Sequence, residues 1–114
     1  MQPLTTTITM KDATGRVIGE KEVATYAGLL SRAHEEGLKR VDTSLTQVPH
    51  ADNGWTAICV ATVETSKGVF TGSGDANPDN VGRKIVPHLI RMAETRAKAR
   101  ALRDAVNIGM VTME

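Results

Sequence analysis

The sequence predicts an α+β domain. An antiparallel β-meander of three main strands, with an N-terminal hairpin ahead of it, packs with a short helix and a long C-terminal helix. Three observations predict this. Several stretches alternate apolar residues with threonine or serine, the mark of half-buried strands. Tight-turn signals separate them: Asp12 to Gly15, Asn53-Gly54 and Ser66-Lys67-Gly68. The last third of the chain is an alanine-rich stretch with helical spacing.

The element order expected is ββ–α–βββ–α. Residues 4–10, LTTTITM, form a strand, KDATG a turn and RVIGEKE a return strand. Val23, Tyr26, Ala27, Leu30 and Ala33 then recur at helical spacing, and Gly37 closes that helix. Residues 41–48 alternate and are rich in β-branched types. PHADNG is a loop with a hairpin signal at Asn53-Gly54. WTAICVATVET (55–65) is apolar on both faces and is expected as the central strand. VFTGSGDA completes the meander, where Gly72 and Gly74 suggest a bulge or the close approach of another backbone.

The long helix is expected between Asn77 and Gly109. Asn77 suits the N-cap, Pro78 the first helical position and Gly109 the stop after the last turn. Pro87 either kinks the first turns or moves the start to just before it, and Pro87 to Ile108 alone would span ~33 Å. Ile85, Val86, Leu89, Ile90 and Ala93 form an apolar stripe that runs on into Arg96, Arg100 and Arg103. A second cationic line, Lys84, Arg91 and Lys98, repeats every seven residues. Ala97, Ala99, Ala101 and Ala105 keep the second half thin. Pairs such as Glu94–Lys98 and Arg100–Asp104 also suit a simply solvated helix.

Length bounds the organisation to one domain: 114 residues, with a hairpin over 1–22 and an α-βββ-α core over 23–109. A lone cysteine, Cys59, excludes an internal disulfide and fits a reducing cytoplasm. No run of apolar residues is long enough to span a membrane. Residues 1–80 hold seven Lys/Arg against ten Asp/Glu, a net of −3, whereas residues 81–114 hold seven against three, a net of +4. Basic charge therefore gathers on the long helix, as a polyanion-binding face requires. Trp55, Tyr26 and Phe70 are the only aromatic rings of their kinds, too few for a base-stacking platform.

No catalytic constellation, cofactor site or metal site is expected. Gly72-Ser73-Gly74 lacks the third glycine of a dinucleotide fingerprint, and no Gly-Lys-Ser/Thr follows for a phosphate loop. His34, His50 and His88 match no ligand spacing, and Cys59 lies mid-strand among apolar neighbours. Trp55 is either a strand-end core anchor or an exposed ring at a hairpin tip. Lys39-Arg40 complements a helix end or extends a basic surface.

Residues 38–109 resemble the single-strand DNA annealing proteins, the eukaryotic recombination-mediator core and its DdrA-like bacterial relatives. The resemblance rests on AICVATVET, the turn SKG, VFTGSGDA and AETRAKARALRDAVNIG, with Arg100-Ala101-Leu102-Arg103 at its centre. It implies a β-β-β-α fold that assembles side by side into homo-oligomeric rings, and single-stranded DNA lying in a basic groove between meander and helix. By matched position Arg100 and Arg103 would contact phosphates, with Arg91 a third. Arg96 and Lys98 join them on helical geometry alone, and Lys84 on the second cationic line. The expected function is non-enzymatic strand binding and annealing in DNA repair and recombination, in the cytoplasm at the nucleoid. Holding phosphates while leaving base edges free to pair suits Arg and Lys without stacking rings. Two alternatives stand beside it. One is an assembly module with no nucleic-acid role; the other is a double-stranded RNA-binding-like module, whose α-β-β-β-α order this chain shares from residue 23.

Overall fold

Hydrophobic alternation and small-residue turns build two sheets with the long helix laid across one of them. The structure, a computed structural model, describes residues 4–107 and the backbone of 112–113. Strands β1 (Thr5–Lys11) and β2 (Val17–Thr25) form the N-terminal hairpin in antiparallel register, Thr5 opposite Ala24 and Met10 opposite Gly19. Its turn is fixed by the Asp12 carboxylate, which accepts from the backbone N–H of Thr14 (2.9 Å) and Arg16 (3.0 Å). A short strand β6 (Thr112–Met113) runs parallel to the inner end of β2. Val23 lies in β2 and does not open the first helix. Helix α1 (Tyr26–Glu35) begins instead at Thr25, whose hydroxyl accepts from Gly28 N–H at 3.0 Å.

The meander is as expected: β3 (Arg40–Gln47), β4 (Ala57–Thr65) and β5 (Gly68–Ala76) lie in the order β3-β4-β5, all antiparallel. It is a separate sheet from the hairpin. Along β4 burial alternates strictly. Ala57, Cys59, Ala61 and Val63 point into the core, while Ile58, Val60, Thr62 and Glu64 are half-buried on the face without a helix.

Helix α2 (Leu89–Ala105) spans 17 residues, about 25 Å, across β5 and β4. Its start corrects the expectation at Asn77. The Asn77 side chain does cap, but it caps a turn, accepting from the N–H groups of Asp79 and Asn80. Asn80 reciprocates through Asn77 N–H at 2.8 Å, and the chain then passes Gly82 into a 3-10 turn over Arg83–His88 that contains Pro87. Side-chain bonds competing for the backbone, followed by a glycine and a proline, keep an α-helix from propagating until Leu89. The helix ends at Ala105, with Asn107 in the left-handed region at φ +57. The expected stop at Gly109 lies outside the described residues.

The core is built mostly from alanine. Ala93, Ala97 and Ala101 of α2 are fully buried and lie against Gly72 and Gly74 of β5. A Cβ on Gly74 would sit 2.4 Å from both Ala93 O and Ala97 N; one on Gly72 would sit 2.5 Å from Ala101 N. The glycines of the third strand therefore let a helix backbone touch a strand backbone.

Candidate nucleic-acid interface

That close contact determines where the basic side chains of α2 go. The buried stripe is Leu89, Ala93, Ala97 and Ala101, at i, i+4 spacing, with Leu102 and Ala105 beside it. This corrects the apolar stripe read from sequence: Val86 and Ile90 are exposed, and the arginines do not continue the buried line but flank it. Arg96, Arg100 and Arg103 fall on one side of α2, spaced by four and three residues, above the outer edge of β5. Arg91 and Lys98, seven residues apart, fall on the other side.

The first side is a row of anchored guanidinium groups. Arg96 donates to the carbonyl of Asp75 (2.7 Å), to the Asn80 side-chain oxygen (3.0 Å) and to the Asn80 carbonyl (2.9 Å). It thereby fastens the 77–80 turn to the end of β5, and its role is structural. One turn on, Arg100 donates to the Ser73 carbonyl at 3.0 Å and lies 3.9 Å from the Asp75 carboxylate, with its side chain 37% exposed. Ser73 and Asp75 are two residues apart on an edge strand, so their carbonyls face the same way. The two arginines cap the edge against pairing with another strand. Arg103, half-buried, continues the row.

The other expected positions scatter. Lys98 is paired with Glu94 at 3.2 Å and stands 5.9 Å above the Tyr26 ring of α1. Arg91 is exposed beside a groove at the start of α2, and Lys84 is exposed on the preceding 3-10 turn. Arg40 at the start of β3 is held by Asp42 (2.7 Å) and Glu64 (3.0 Å), so it does not extend the α2 row.

The capped carbonyl edge of β5 has no counterpart in the expectations. Of the two places expected for Trp55 it takes the exposed one and is not a strand-end anchor: β4 starts at Ala57, and the ring is 52% exposed. Only the Asn53-Gly54 signal pointed there, and Gly54 does adopt φ +68, with Trp55 following at φ +56. Cys59 is 1% exposed and its thiol is pushed up by desolvation, with the Glu94 charge adding to the effect. Among the described residues no group of three His, Cys, Asp or Glu side chains is placed to hold a metal ion. Among them, too, no helix is long and apolar enough to cross a membrane. Comparison with protein-family models, with curated proteins and with solved structures returned no match.

Proposed function

We propose that this chain binds single-stranded DNA without sequence preference and anneals strands as a homo-oligomer in DNA repair or recombination, with no chemical step of its own. The row Arg96–Arg100–Arg103 on one side of α2, its first two members bonded to the edge of β5, carries the proposal. Arg96 holds the frame, while Arg100 and Arg103 present positive charge at the surface. Guanidinium groups fixed on a strand edge have little conformational freedom left to lose when a phosphate arrives, which favours binding. Each protomer offers few contacts, so useful affinity depends on many protomers sharing one strand.

Replacing Arg100 and Arg103 by glutamine tests this. The amides keep a donor near the Ser73 carbonyl while removing both charges. Affinity for a labelled oligothymidylate at low salt falls at least about tenfold, and the slope of log K against log salt loses about 1.4, near 0.7 for each lost phosphate contact. Unchanged affinity at matched salt, with an unaltered circular dichroism spectrum, refutes the assignment. A second reading, an assembly module without nucleic acid, is favoured by exposed apolar side chains away from the row: Val17, Ile18, Val48 and Trp55.

A further inference from the structure

The N-terminal end of α2 carries a groove, part apolar and part charged, that the arginine row does not use. Pro49, Val86, Leu89 and Ile90 line it together with Arg91 and Glu94, with a volume of about 490 Å³, and Trp55 with Pro78 extends it past Val86 and Leu89. Val86, Ile90 and Trp55 are 37%, 43% and 52% exposed. The ring of Trp55 is held there by its loop. The Asn53 side chain accepts from His50 and Thr56 N–H and donates to the Val48 carbonyl, each at 3.0 Å, and Trp55 N–H donates to the His50 carbonyl at 2.8 Å. The left-handed backbone at Trp55 costs about 1–2 kcal/mol. A cost of that size, kept for an exposed indole, points to a contact made outside the protomer.

The same chain displays an element of matching chemistry. The outer part of the N-terminal hairpin is a two-stranded ribbon, marginal in water by itself. Ile18, Glu20 and Glu22 alternate onto one face of β2, all exposed, and Ile18 is 60% exposed at the far end. An apolar tip beside two carboxylates complements a groove whose apolar wall adjoins Arg91, with Arg83 and Lys84 exposed on the neighbouring turn; the groove's own carboxylate, Glu94, is paired with Lys98 at 3.2 Å.

We infer that the groove receives the hairpin of a second copy of this chain, with Ile18 beside Trp55 and Glu20 facing Arg91. Donor and acceptor are different surfaces, so the contact is heterologous. Repeated, it closes into a ring or runs on as a filament. The inference rests on reading the chain as a self-assembling binder, and it adds which surfaces meet.

Two variants and their mixture test it. Ile18→Asp spoils the hairpin, and Trp55→Gly removes the ring while suiting the left-handed backbone, so neither threatens the fold. Light scattering after gel filtration finds the wild type as a multimer, each variant as a monomer, and their equimolar mixture as a one-to-one heterodimer, because one intact contact survives. Trp55 is the only tryptophan in the sequence. In the mixture its emission comes from the Ile18→Asp chain alone, and it moves to shorter wavelength as the hairpin docks. Glu20→Arg weakens assembly at least tenfold, and Arg91→Glu in the same chain restores it.

A monomeric wild type, a variant that still assembles, or a mixture that stays monomeric overturns the inference. So does an emission shift produced by oligothymidylate or an acidic peptide instead of the second variant. The DNA reading is separated by oligothymidylate anisotropy on the monomeric variants. If its salt dependence vanishes while the assembly pattern holds, the function fails and the interface stands.

Discussion

Placing a methyl group at Gly74 should unseat the helix on which the candidate site is mounted. The new Cβ would lie 2.4 Å from Ala93 O and Ala97 N and 2.8 Å from Arg96 Cβ, whereas ordinary contact begins near 3.4 Å. Two of these neighbours are backbone atoms, so α2 must lift by about 1 Å. Overpacking of this kind costs about 1–3 kcal/mol. A lift of that size also stretches the arginine bonds to the Asp75 and Ser73 carbonyls, each worth about 1.5–3 kcal/mol as a charged hydrogen bond. With those bonds weakened and not lost, a total of about 3–5 kcal/mol is a large share of the 5–15 kcal/mol typical of a whole domain. Urea unfolding followed by far-UV circular dichroism measures it, and the melting temperature falls by about 10–20 °C. Gly72→Ala costs less than the same amount again when combined with Gly74→Ala, because both methyls press on Ala97 and one lift relieves both. Gly82→Ala is the control: its Cβ would meet nothing within 4 Å, and its φ of −66 suits any residue. If Gly74→Ala lies within about 0.5 kcal/mol of the wild type, the contact between backbones is not what holds α2 in place.

Other consequences are checked as simply. Arg96→Lys keeps the charge but cannot span Asp75 and Asn80 together. It costs about 1–3 kcal/mol in urea unfolding and leaves the salt slope of DNA binding unchanged, since Arg96 serves the frame. Cys59 stays unreactive towards a disulfide reagent at pH 8 until the chain unfolds, because burial both shields the thiol and raises its pKa. The Glu36 carboxyl is held below its ordinary value by the bond from Lys67 (2.6 Å), with Arg32 adding to it. Its folded pKa is the lower one, so the stabilisation is complete above about pH 4.5 and is lost as pH falls through the folded value. Wild type and Glu36→Gln therefore differ in melting temperature at pH 7 and converge in acid.

How far the fold could be read from sequence depended on which signals had a single physical meaning. The meander was legible because β-branched alternation between Gly- and Asn-containing turns admits few other structures. Gly72 and Gly74 were legible too, since a strand interior tolerates glycine chiefly where something comes close. Asn77 was not, because an asparagine side chain caps a turn or a helix by the same bond. Only Asn80, answering from three residues on, decides for the turn. The buried face of α2 was misread for a related reason. Ile85, Val86 and Ile90 look more apolar than alanine, but alanine alone is thin enough to meet a glycine strand. Of the site, the positions of Arg100 and Arg103 were legible from spacing. The bond from Arg100 to the Ser73 carbonyl was not, because it depends on how closely two backbones approach.

The guanidinium groups on β5 have a practical consequence for anyone altering them. Each both supplies charge and covers a bare acceptor on the rim of the sheet. Truncating one to a small side chain would leave that rim sticky, and a protein that clumps gives the same weak signal as one that no longer binds. At Arg100 solubility and recognition are written in one side chain, so substitutions that keep a donor in place are the ones whose results can be interpreted.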